Sequence, residues 1–407
     1  MKLLLQIFLL IYAGYISSLA QSPKQDFDNE PKVHWKFKTG APIFSSPVIS
    51  EGVAYFGGLD STLYALDVKS GAVKWKTKTN GEIRSSVTIV DNKLYLMGGN
   101  GVLSCLDKKS GNPIWRKIFD NNALFLAERR YDFADYFHSS PLVHEGIIYL
   151  GNSSNLVMAL SADTGETRWT FQAGDIVHTK PAILGNKLFF GSFDGYLYAL
   201  HLLDGRLLWK FKSIGQQYFP KGEMQGFPIA AFGSVYIGSR DFNFYSVNAE
   251  TGQGNWNRKF PKGWAFAASI EDSVLYLGTA EDRLVLALDA ITGQELWNTE
   301  LKFHVFGRSE ISPAYVYVPT IWGKLYALDR KTGDIKWALT TDGYKANHLR
   351  YFKEDDSYRD DIYTIFKSSI DLIQAEYNMG GIFSSPAIDN DMMIVTSTDG
   401  TVYGLIK

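Results

Sequence analysis

The stretch Leu63-Tyr64-Ala65-Leu66-Asp67-Val68-Lys69-Ser70-Gly71-Ala72-Val73-Lys74-Trp75 decides the fold, because its pattern occurs seven times in the chain. Its skeleton is a small residue, a turn former two positions on, a Ser/Thr/Asp–Gly pair and a tryptophan. The copies run from Ala65 to Trp75, Cys105 to Trp115, Ala159 to Trp169 and Ala199 to Trp209. They continue from Ser246 to Trp256, Ala287 to Trp297 and Ala327 to Trp337, always with ten positions between small residue and tryptophan. The apolar run before the turn reads as a strand. The turn pairs a short polar side chain, which can bond nearby backbone, with a glycine that accepts positive φ. The tryptophan opens the following strand, where its ring can pack over the neighbouring small residue.

Two further strands lie upstream of each copy. In the first they are Ser46-Pro47-Val48-Ile49 and Val53-Ala54-Tyr55-Phe56, the second ending at Gly57-Gly58. Four antiparallel strands in a unit of about 40 residues is the period of a propeller blade. An eighth tryptophan, Trp35, stands near the N-terminus without a turn before it. At the other end Ser385–Ile388, Met393–Thr396 and Val402–Leu405 supply three strands and stop where an outer strand is due. The orphan ends complete one another. The expectation is an all-β, eight-bladed propeller of four-stranded antiparallel blades, its last blade built from 382–407 plus 33–38. Such closure leaves no unpaired blade edge. A β-solenoid, the alternative, would not explain complementary orphan strands.

Composition narrows the function. The 41 Lys and Arg nearly balance 43 Asp and Glu, so no electrostatic footprint for nucleic acid exists. The single cysteine, Cys105, excludes an intramolecular disulfide and a thiolate metal cluster. Residues 1–20 read as a secretory signal: Lys2, the apolar run Leu3–Ile11, then Ser18-Leu19-Ala20 before Gln21. Residues 21–407 would then be one propeller, exported, with a bacterial periplasm as the compartment.

The repeated A-x-D-x-x-T-G-x-x-x-W pattern resembles the tryptophan-docking repeat of pyrroloquinoline-quinone (PQQ)-type propellers, over essentially the whole mature chain. That group contains quinoprotein dehydrogenases, which carry PQQ and calcium. It also contains the non-enzymatic, BamB-like propellers of outer-membrane protein assembly. The dehydrogenases are typically longer and many have a vicinal cysteine pair, which a chain with Cys105 alone cannot form. The BamB-like proteins usually have a lipid-anchor cysteine, and none lies near Ala20.

Aligned repeats place two layers on the innermost strands, since residues two apart share a face. The first contains Phe44, Arg84, His138, His178, Gln225, Ala265, Phe306 and Phe383. The second contains Ser46, Ser86, Ser140, Lys180, Phe227, Ala267, Arg308 and Ser385. Neither layer has a carboxylate, whereas calcium takes six to eight oxygen ligands, several of them carboxylates. The expectation is a mildly basic, aromatic channel mouth without cofactor or metal. It reads either as a site for an anionic group or peptide, or as strand-end packing.

Three outer-to-inner connections carry insertions, at about 119–137, 214–224 and 341–380, all on one face of the disc. The first contains Phe125, Arg129, Arg130 and Tyr131; the second contains Tyr218 and Phe219; the third contains Tyr351 and Phe366. Ile362, Ile365, Phe366, Ile370 and Ile373 have the spacing of an amphipathic helix. Repeat proteins often bind through such a face. These residues are expected to anchor a partner or to pack as a lid over the ring. The functional expectation is a monomeric, non-catalytic exported scaffold binding another protein, similar to BamB-like proteins. The alternative is a quinoprotein or small-ligand propeller using the channel mouth.

Overall fold

The structure, a computed structural model, describes residues 24–99, 101–119, 138–266 and 268–407. The signal segment and most of the first insertion, with Phe125, Arg129, Arg130 and Tyr131, lie outside the described residues. Eight four-stranded antiparallel sheets form the blades of a propeller. In the first blade the strands run, inner to outer, Val48–Ser50, Val53–Gly57, Thr62–Asp67 and Val73–Lys78. The ring closes as the orphan ends require: Lys32–Lys38 pairs with Thr401–Ile406, which continues to Met392–Thr396 and Ala387–Asp389.

The turn chemistry is local. The Asp67 carboxylate accepts from the backbone N–H of Ser70 at 3.0 Å and from its hydroxyl at 2.9 Å. Gly71 has φ +69° and donates its N–H to the Asp67 carbonyl at 2.8 Å. The glycine is required for a second reason, which reaches between blades. A Cβ at Gly71 would lie 2.6 Å from the Trp35 ring. Each repeat tryptophan pairs with the small residue of its own blade, Trp75 with Ala65 for example. Except at Trp337, its indole lies on the turn glycine of the next blade, as Trp75 lies on Gly111. There Trp75 Nε1 donates to the Lys108 carbonyl at 3.1 Å. The same bond joins Trp35 to Val68, Trp115 to Ala162, Trp169 to Leu202, Trp209 to Ala249, Trp256 to Ala290 and Trp297 to Arg330.

Trp337 has no following turn of this kind. Its indole N–H donates instead to the Phe27 carbonyl at 2.6 Å. The N-terminal arm is held there by a fully buried Phe27 ring, and Phe27 N–H donates to the Tyr317 hydroxyl at 2.9 Å. Asp26 accepts from Ser312 Oγ at 2.6 Å and from the Ala314 N–H at 2.8 Å. The arm thus completes the eighth docking position on the face opposite the insertions.

The third insertion folds as α1 (Asp342–Tyr351), α2 (Ile362–Ile365) and α3 (Ser369–Asn378). This corrects the single amphipathic helix expected over Ile362–Ile373. Ser368 caps a new helix by accepting from the Asp371 N–H, so the apolar period is split between two helices. Tyr351 and Phe366 turn inward and join a cluster with Phe303, Trp322 and Phe352. Tyr351 is 3% exposed, so it roofs the ring and does not stand out as an anchor.

Candidate functional site: the channel and its roof

The first channel layer divides into two halves. Phe44, Phe306 and Phe383 are buried, with Phe383 centred 5.0 Å from Phe44 and 6.2 Å from Phe306. Tyr377, on α3, closes over them 5.8 Å from Phe44. Ala265 is buried alongside, and Phe266 approaches Phe306 to 4.4 Å. In the polar half, the Arg84 guanidinium lies 5.0 Å from the Phe44 ring centre and pairs with Glu82 at 3.3 Å. The His138 and His178 rings are 5.4 Å apart, and His178 Nε2 bonds Ser153 Oγ at 2.9 Å. Gln225 accepts from the Arg240 guanidinium. Glu82 thus compensates Arg84 in this layer, and Tyr377 of the roof covers Phe44.

The second layer is a belt. Ser385 N–H donates to Ser46 Oγ at 3.0 Å, Ser46 N–H to Ser86 Oγ at 3.1 Å, and Ser86 N–H to Ser140 Oγ at 2.9 Å. Hydroxyls thus stitch four inner strands together where their own ladder hydrogen bonds have ended. Lys180 and Arg308 interrupt the belt. Surrounding protein, and then the positive Arg308, push the Lys180 ammonium below its ordinary range. Burial lowers Arg308 as well. Arg308 Nε reaches Ser269 Oγ at 3.2 Å.

One carboxylate was missed. Two residues beyond Arg308, at the start of the strand Glu310–Ile311, stands Glu310, whose pKa burial raises and whose carboxylate pairs with Lys24 at 2.6 Å. Continuing the alternation by one more step would have found it. The channel residues do not fit a calcium-supported quinone: of the described acids beside the two layers, Glu82 is paired with Arg84 and Glu310 with Lys24. Among the described residues, no group of three or more His, Cys, Asp or Glu is placed to hold a metal ion. Cys105 is fully buried, and burial pushes its thiol up to about 11.

The second insertion is anchored from below. Phe219 packs edge-on against Trp264 at 5.1 Å, beneath the Arg240 guanidinium, while neighbouring Tyr218 is 76% exposed. On the third insertion the exposed apolar side chains are Leu349, Tyr358, Tyr363 and Ile370. Sequence reasoning named Tyr351 and Phe366 from the same segment and missed these. Periodicity shows that a face is apolar but not which side of the insertion the ring covers.

Eight blades, tryptophan docking between them and the docking-motif turns define a PQQ-type propeller. A sequence model of the family described as outer membrane protein assembly factor BamB matches residues 27–124, 99–263 and 245–376, and the chain belongs to that family. The outer membrane protein assembly factor BamB of Yersinia pestis is 23% identical over 279 residues, 66% of this chain and 61% of that protein. The quinoprotein ethanol dehydrogenase of Pseudomonas putida is 30% identical over 154 residues, 33% of this chain and 25% of the enzyme. The chain thus matches less than two thirds of the length of either relative. The crystal structure of BamB from Moraxella catarrhalis superposes with a TM-score of 0.68 at 15% identity, covering 93% of this chain and 100% of that one. At that identity the likeness is one of fold. Among the described residues no helix is long and apolar enough to cross a membrane.

Proposed function

We propose that the protein is a non-catalytic, exported scaffold of outer-membrane protein assembly that binds another protein through its insertion face. One observation supports this above the others: the inserted segments roof the ring yet leave Tyr218, Tyr363 and Ile370 exposed at 76, 85 and 52%. Exposed aromatic and aliphatic side chains on a rigid, packed base are how interfaces anchor a partner. The roof supplies the base, because its inward residues are held by the ring core.

The test uses mature protein on a matrix, presented with periplasmic and outer-membrane extracts. A Tyr218→Ser/Tyr363→Ser/Ile370→Ser variant should lose the captured partner while keeping the parent melting temperature, since none of the three is buried. Capture unchanged by the triple substitution refutes the assigned face. The local identity to a quinoprotein dehydrogenase motivates a second measurement, titration with PQQ and calcium. No saturable response is expected from a channel that lacks the acid ligands; saturation would overturn the non-catalytic reading.

A further inference from the structure

The second channel layer is rich in hydrogen-bond donors and has almost nothing to accept from them. Ser46, Ser86 and Ser140 each use the hydroxyl oxygen to accept a backbone N–H from the neighbouring blade. That fixes the oxygens and leaves each O–H proton to point elsewhere. Among the described residues, no acceptor meets the hydroxyl protons of these three serines or of Ser385. The same layer contains Lys180, which forms no ion pair among the described residues, and Arg308, whose one hydrogen bond there is to Ser269 Oγ at 3.2 Å. A small cavity of about 30 Å³, walled mostly by Phe227, Phe306 and Phe383, reaches Arg308, Ser46 and Ser385. Glu310 pairs with Lys24 at 2.6 Å and also attracts Arg308, so it answers the guanidinium only in part.

Arg308 is open to solvent in the channel and Lys180 is partly so, and the two positive charges repel each other. Nothing in the fold requires them: the other blades place serine, alanine or phenylalanine at the same position. An anion on the channel axis would answer both charges and accept from the serine hydroxyls. Charge-assisted hydrogen bonds of that kind are short and strong, and a guanidinium suits a planar or tetrahedral oxyanion.

We propose that the belt of Ser46, Ser86, Ser140, Ser385, Lys180 and Arg308 is a binding site for a small oxyanion, a phosphate, sulfate or carboxylate group held inside the propeller channel. The site lies inside the channel beneath the roof, and its test does not depend on the partner bound at the insertion face.

Mature protein in low-salt buffer is titrated with inorganic phosphate, sulfate and succinate at constant ionic strength, by calorimetry and by thermal melting. Chloride serves as the control anion. Saturable 1:1 binding is expected for an oxyanion, with a rise in melting temperature that chloride does not reproduce. Phosphate or sulfate alone identifies an inorganic ligand, and succinate alone a carboxylate. Lys180→Met and Arg308→Met should each weaken binding at least about tenfold, whereas Lys210→Met on an outer strand should leave it unchanged. Removing one of two repelling cations should also leave the ligand-free protein at least as stable as the parent. A merely structural role would instead lower its melting temperature. Equal, non-saturating responses to all four anions, or binding that both methionine variants retain, would overturn the proposal.

Discussion

Truncating one side chain of the N-terminal arm should loosen the ring at its far side. Phe27 is fully buried, its ring edge-on to Tyr317 at 6.1 Å and its carbonyl 2.6 Å from the indole nitrogen of Trp337. Phe27→Ala removes a whole aromatic side chain from that site, a change that costs about 3–5 kcal/mol in protein cores. If the arm stays docked, its backbone bonds to Trp337 and Tyr317 survive and the loss stays in that range. If the arm detaches, the buried indole N–H loses its acceptor, adding about 1–3 kcal/mol. Either figure is a large part of the ~5–15 kcal/mol by which domains are stable. Urea unfolding followed by tryptophan fluorescence measures it. Asp26→Ala, which removes the acceptor for Ser312 and Ala314, should fall below it at about 1–3 kcal/mol. Val33→Ala, on an exposed position of the closing strand, is the control. A Phe27→Ala loss below about 1 kcal/mol, or one equal to that of Val33→Ala, would refute the claim that the arm serves as the eighth docking site.

Three further outcomes are expected. Gly404 takes the small-residue position of the last blade, and a Cβ there would meet Trp35 Cε2 at 2.0 Å, so Gly404→Ala should lower stability by about 1–3 kcal/mol in urea. Asp356 accepts from Tyr344 at 2.6 Å, from His348 at 2.9 Å and from Lys324 at 2.5 Å, tying the roof to the seventh blade. Asp356→Ala leaves the largely buried Lys324 ammonium without its counter-charge, at a cost of about 3–5 kcal/mol. Amide exchange should then accelerate over residues 342–379 before it does in the blades. Burial and then Arg283 lower the His304 pKa to about 4 from an ordinary 6.5. The unfolded chain therefore takes up the proton first, and stability falls as pH drops from 6.5 towards 4, by up to about 3 kcal/mol. The difference between parent and His304→Gln unfolding free energies at pH 7 and pH 4.5 isolates this contribution; no change in that difference would contradict it.

Much of the channel was legible as position and little of it as contact. The repeats alone placed Phe44 and Arg308 in two layers at the channel, but the structure puts those layers in the segments that enter the inner strands, the first of which begins only at Val48, and not on the strands themselves. That Glu82 would compensate Arg84, that Tyr377 would cover Phe44 and that Lys24 would reach Glu310 depended on neighbours with no repeat register to each other. The roof behaved in the same way. Its apolar residues were visible, but Ser368 divided their helix and the ring's own aromatics selected Tyr351 for burial and left Tyr363 in solvent.

The amino-acid sequence by itself determined the four-stranded unit, the number of blades and the pairing of the two ends. Each of those rests on chemistry within a few residues, an Asp–Gly turn or an alternating strand, repeated often enough to count. Only the tertiary structure decided that each tryptophan docks on the following blade, and that Phe27 takes the eighth docking site across 310 residues of chain. Contacts at that separation follow from which surfaces the closed ring brings together, and a local pattern carries no record of them.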